Sequence, residues 1–108
     1  MPDTDREAVG PMATVESVVL DWEDVHPRLV FGHRAYLRGR HMFGYLVVGG
    51  VAIGKLSETD REAFVARGAR TDRHGDEEAK GWYRLNVVTD EDVDVVLDFL
   101  RRAYEAVA

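Results

Sequence analysis

The stretch "FGHRAYLRGRHMFGYLVVGGVAIG", Phe31–Gly54, decides the fold. Its first part alternates with period two. Leu29, Phe31, His33, Ala35 and Leu37 point one way, and Val30, Gly32, Arg34 and Tyr36 the other. "RGR" then reads as a turn in which Gly39 is free to take a positive φ. A second strand follows from about His41 to Val48, and Gly49-Gly50 between "YLVV" and "VAIG" is a hairpin signal. A two-residue turn there pairs Val48 with Val51, Leu46 with Ile53 and Tyr45 with Gly54. Both faces of this hairpin are then apolar. Leu46, Val48, Val51 and Ile53 line one, and Phe43, Tyr45, Val47, Ala52 and Leu56 the other. One face must pack on helices. The second needs cover from the chain or from another subunit.

Helical patterns flank this meander. Val15, Val18, Val19, Trp22 and Val25 recur at helical spacing, with Thr14 as the expected N-cap and Pro27 as the stop. "SETDREAFVARG" predicts a second helix, capped by Ser57 with Asp60 three residues on and ended by Gly68. Residues 69–81 read as a long polar loop, and "WYRLNVV" as a fourth strand with Tyr83, Leu85 and Val87 on one face. Thr89 caps a last helix that opens on Asp90, Glu91 and Asp92 and buries Val93, Val96, Leu97, Leu100 and Tyr104. The expected fold class is therefore α+β: two layers, an antiparallel four-stranded sheet and three helices, in the order α-β-β-β-α-β-α. A doubly wound parallel sheet needs a helix after each strand, and the meander forbids it. Residues 1–12, with two prolines and a run of charge, read as a disordered tail, and 13–108 as one domain.

Composition excludes several functions. The 108 residues carry a formal charge of -6, which opposes direct binding to nucleic acid or to an anionic membrane. There is no cysteine, so a thiolate nucleophile and cysteine-based zinc sites are out, and a cytoplasmic setting fits. No apolar run is long enough for a membrane span, and the acidic start "MPDTDREAVG" has no apolar core of a signal peptide.

Candidate sites are few. Between Val25 and Ser57 there is no acid, against Arg28, Arg34, Arg38, Arg40 and Lys55. Arg34, Arg38, Arg40 and His41 are thus the candidates for an anion or partner site, the competing reading being that basic strands neutralise the chain's own acidic helices. His33 and His41 fall on opposite faces by the alternation, and no metal-ligand spacing occurs among the four histidines. "VVGGVAIGK" lacks the G-x-x-x-x-G-K-[ST] of a phosphate loop, and Gly54-Lys55 lies within an apolar strand. His74, Asp76 and Trp82 in and beside the 69–81 loop could line a small pocket or supply acid–base chemistry. Neither a metal nor a cofactor is expected.

Two families share short motifs with the chain. Phe31-Gly32, Gly39-Arg40 through Phe43, Lys55, and Phe64 through Gly68 resemble the N-terminal domain of TfoX, the competence regulator, and its MmcQ/YjbR-like relatives. Val30 stands where that pattern usually has methionine. "ARGAR" followed by His74, Gly81-Trp82 and "TDEDVDVVLDFLRRAYE" resemble the small bacterial domain labelled "luciferase", a label that implies no light emission in a chain too short for a flavin barrel. Both resemblances imply a compact α+β domain, often paired with itself, and neither brings a catalytic residue. The expectation is a non-enzymatic binding or regulatory module. It would be a homodimer through the second sheet face, with a protein partner rather than nucleic acid and no membrane. The alternative is a small-molecule binder or enzyme built on the 69–81 loop with Trp82 and His74.

Overall fold

A computed structural model describes residues 10–74 and 77–107, and the side chains of these except 73–80. The order is α1 (Pro11–Val19), β1 (Val25–Val30), β2 (His33–Arg38), β3 (His41–Val47), β4 (Gly50–Ile53), α2 (Glu58–Ala66), β5 (Arg70–His74), β6 (Glu77–Asn86) and α3 (Asp90–Ala106). The six strands form one antiparallel sheet in the order β1-β2-β3-β4-β6-β5. The α+β class and the three helices are as expected, but the sheet has six strands, not four.

The two additional strands are the two edges. β1 contains Pro27 and four exposed residues in succession, and β5 reads RTDRH. Edge strands tolerate proline and charge because one side needs no ladder partner, so neither carries an apolar alternation. The expected strand from Leu29 to Leu37 is two strands. Phe31 and Gly32 both take positive φ, 51° and 81°, and reverse the chain between them. The expected 69–81 loop is largely strand: 70–74 belong to β5 and 77–81 to β6, with 75–76 outside the described residues.

α1 begins at Pro11, not after Thr14, with proline in the first turn where its missing N–H costs nothing. The helix ends at Val19. Turn hydrogen bonds from Asp21 to Val18 and from Trp22 to Val19 then swing Trp22 back onto the core. The helical spacing of Trp22 and Val25 thus continues without a helix. The expected tail ran to residue 12. Pro11 and Met12 belong to α1, and residues 1–9 lie outside the described residues.

The β3–β4 turn is Val48-Gly49, since Val47 pairs with Gly50, Leu46 with Val51 and Tyr45 with Ala52. This register differs by two from that of a Gly49-Gly50 turn. An even shift leaves Tyr45, Leu46, Val47, Val51, Ala52 and Ile53 on their expected faces, whereas Val48 becomes a turn residue and Phe43 and Leu56, expected beside Tyr45, pack on the helix side. Gly50 is held in the strand by a close neighbour: a Cβ there would collide with the Leu85 carbonyl oxygen of β6. A bulge between Tyr36 and Leu37 and their β3 partners sends Phe43 to the same side as Tyr36.

All three helices pack on one face. Val15, Val19, Tyr36, Phe43, Val51, Ile53, Phe64, Val96, Phe99 and Leu100 form this core. α3 supplies more of it than any other element, and its capping box is complete: Thr89 accepts from Asp92 N at 3.1 Å, and the Asp92 carboxylate accepts from Thr89 N at 3.0 Å. Ser57 caps α2 by accepting from Asp60 N at 3.1 Å, while the Asp60 carboxylate accepts from Arg102 Nη1 at 2.7 Å and ties α2 to α3. Gly44 lets α3 approach the sheet, since a Cβ there would lie 2.6 Å from Leu100 Cδ2.

Candidate functional site

The sequence points to Arg34, Arg38, Arg40 and His41, and the structure divides them. Arg34 alternates toward the helices, where its Nε donates to Glu16 of α1, as does the Tyr36 hydroxyl at 2.7 Å. That partnership raises the Arg34 guanidinium further above its ordinary value. Arg38 Nη1 donates to the Tyr104 carbonyl at 2.9 Å, and its guanidinium lies 4.1 Å from the centre of the Tyr104 ring. Both arginines therefore serve the chain's own helices. Arg40 and His41 are exposed at the β2–β3 turn. His41 pairs with Arg38, whereas His33 lies beside Ala35 and Leu37 on the other face, so these two histidines are apart as expected. His33 Nδ1 is instead 3.0 Å from the Leu46 carbonyl oxygen.

The second sheet face, turned from the helices, holds a different basic set. Cross-strand pairing aligns Arg28, Ala35, Tyr45, Ala52, Arg84 and Arg70 in one row over all six strands. Ala35, Leu37, Tyr45 and Ala52 are buried on this face, with Trp82, Val47, Met42 and Val30 packed against them. The Tyr45 ring lies 5.0 Å from those of both His33 and Trp82. Trp82 occupies the space that Gly54 leaves: a Cβ on Gly54 would be 2.9 Å from the indole. The half-buried Trp82 is thus a fixed part of this face.

Asp72 is a buried acid of this face, only 2% exposed. A buried carboxylate needs partners. The Tyr45 hydroxyl donates to its Oδ2, and Arg84 Nη1 stands 3.8 Å from its Oδ1. Burial, and then the bond to Asp72 and its charge, push the Tyr45 phenol well above its ordinary value. In strand order β3 and β5 are three spacings apart, about 14 Å on a flat sheet. A tyrosine reaches an aspartate over that interval only because the sheet curls toward this face.

Arg84 uses both of its terminal nitrogens, Nη1 facing Asp72. Its Nη2 donates to the Val48 carbonyl at 3.0 Å, but its Nε is buried without a hydrogen-bond partner. Arg70, directly opposite on β5, is exposed and makes no ion pair among the described residues. Two like charges placed opposite each other repel. Among the described residues Asp72 answers Arg84 alone.

His74 is the last residue of β5, and Asp76 lies outside the described residues. Among the described residues no group of three or more histidines and carboxylates is placed to hold a metal, and no helix is long and apolar enough to cross a membrane. Sequence reasoning missed Arg70, Asp72 and Arg84. Their signal was the period-two placement of Arg84 beside Trp82 and of Arg70 beside Asp72, hidden by reading 69–81 as a loop. No family model, curated protein or solved structure matches the chain.

Proposed function

We propose that this chain is a non-enzymatic binding module that takes an acidic segment of a protein partner on the helix-free face of its sheet. The observation that carries this reading is the Arg70–Arg84 pair, two cations directly opposite each other, of which Arg70 is exposed and has no ion-pair partner among the described residues. A carboxylate from a partner pairs with the exposed Arg70 and relieves the repulsion. Trp82 and Tyr45 beside them offer a rigid aromatic floor. The net charge of -6 favours a protein ligand over a nucleic acid. The resemblance of residues 31–68 to the TfoX N-terminal domain points to the same class of regulatory module, and the cysteine-free composition suits the cytoplasm. Pairing two copies through this face would set arginine against arginine, so the reading gives the face to an acidic partner and not to a second copy.

Titration with a hexaglutamate peptide at low salt, followed by Trp82 emission in a Trp22→Phe background, tests it. Saturable binding that weakens with salt and falls at least tenfold in Arg70→Gln is expected. No response at low salt refutes the reading, as does equal or tighter binding of a single-stranded oligonucleotide of matched charge.

A further inference from the structure

Three large apolar side chains project from one end of the sheet. Phe31, at the β1–β2 turn, is 95% exposed; Val48, at the β3–β4 turn, 94%; Val88, just beyond β6, 73%. The antiparallel order puts all three at the same end: β2 leaves it, β3 returns to it, β4 leaves it and β6 returns. Val87 N donates to the Gly49 carbonyl at 2.9 Å, which sets Val88 next to the Val48-Gly49 turn. Arg84 Nη2 holds the Val48 carbonyl. The three form a row, with Phe31 about two strand spacings (~10 Å) from Val48, and Val48 between the other two.

Phe31 is the telling member. A two-residue turn with positive φ at both positions favours Asn-Gly. Phenylalanine at φ 51° bears left-handed strain and gains no burial in return. Neither local geometry nor packing among the described residues accounts for it.

The row also has electrical polarity. Beside Val88 lie the exposed acids Asp90 and Glu91; toward Phe31, β1 carries the exposed Arg28. A row basic at one end and acidic at the other complements itself under a two-fold rotation. We infer that this end of the sheet is the contact between two copies of the chain. Val48 meets Val48 on the two-fold axis, and the Phe31 end of each copy lies against the Val88 end of the other. The acids beside Val88 oppose an anionic membrane as the alternative occupant. Three side chains a copy make a small contact, so the dimer is a weak, reversible one. This inference is independent of the acidic-partner reading, which concerns the face and not the end of the sheet.

Sedimentation equilibrium over a concentration series reads the association directly. The parent chain is expected to pass from monomer to dimer, and Phe31→Asn to shift the dissociation constant at least tenfold upward. That substitution suits the turn, so its thermal midpoint is unchanged or higher, which separates loss of contact from loss of fold. Because the chain has no cysteine, Val48→Cys should oxidise to a disulfide-linked dimer, while Val18→Cys on α1, exposed on another surface, should not. A parent chain that stays monomeric to about 1 mM overturns the inference. So does a dimer that Phe31→Asn leaves intact, or equal cross-linking at both cysteines.

Discussion

The hydroxyl of Tyr45 on β3 meets the carboxylate of Asp72 on β5, three strands away in the sheet. The contact closes the curl of the sheet and neutralises a buried polar group at each end. Tyr45→Phe removes the donor and leaves a carboxylate that is 2% exposed with Arg84 as its remaining ion-pair partner. A loss of about 1–3 kcal/mol is expected in urea denaturation. A midpoint equal to that of the parent would show that the curl does not depend on the pair.

Tyr45 and Tyr36 also set the alkaline limit of stability. Burial first, then the bonds to Asp72 and Glu16, hold both phenols above their ordinary value of 10.0 in the folded state. The folded chain therefore keeps these protons when the unfolded chain has lost them. Stability is full below the ordinary value and falls as pH rises past it. Urea midpoints should drop steeply above about pH 10, and Tyr36→Phe/Tyr45→Phe should flatten that drop. An equal slope in the double variant would contradict the assignment.

Glu16 accepts from both Arg34 and the fully buried Tyr36, so one carboxylate fastens α1 to β2. Glu16→Ala strands both donors and should cost about 1–3 kcal/mol. Arg34→Met, which keeps the aliphatic stem, should cost less. The reverse ranking would mean that the arginine serves some other partner.

Two glycines are tests of packing. In Gly44→Ala the new methyl stands 2.6 Å from Leu100 Cδ2 and presses α3 off the sheet, and in Gly54→Ala it stands 2.9 Å from the Trp82 ring. Each should cost about 1–3 kcal/mol. The first should couple with Leu100→Ala in a double-mutant cycle, and the second should shift Trp82 emission. Additivity between Gly44→Ala and Leu100→Ala would place the strain elsewhere.

At the start of α3, Thr89→Ala removes a cap worth about 1 kcal/mol. Asp92 is held below the ordinary carboxyl value chiefly by the backbone N–H groups of Val88 and Thr89. Its contribution is present above that value and fades as pH falls through the lowered one. Asp92→Asn should therefore lessen the acid sensitivity of the urea midpoint. An unchanged profile below pH 5 would contradict the capping role.

What was legible in the sequence depended on burial. The meander, α2 and α3 announce themselves because Tyr36, Phe43, Val51, Ile53 and the α3 stripe all report one apolar core. The faces of β3 and β4 were recoverable even with the turn misplaced, because an even slip preserves parity, except at Phe43, which the β2–β3 bulge turns to the helix side. The edges were not. β1 buries little and β5 is polar at every position, so Pro27 and RTDRH read as stop and loop. The candidate site failed for the same reason: half of it, Arg70 and Asp72, lies on the unrecognised edge. Arg34 and Arg38 drew attention by their acid-free neighbourhood in sequence, while the acid that answers Arg34 lies on a helix 18 residues earlier.

β4 is four residues long and buried at every one. Its wall is written in side-chain size. Gly50 yields to the Leu85 carbonyl, Ala52 pairs directly with Tyr45, Gly54 just beyond the strand admits Trp82, and Val51 and Ile53 between them fill the helix side. This small-large-small-large-small cadence, with an aromatic on each neighbouring strand to cover it, is fixed by space and not by ligand. Distant kin that have changed every charge on the surface would still have to carry it, which makes the five residues a ruler for recognising ancestry where overall similarity has faded.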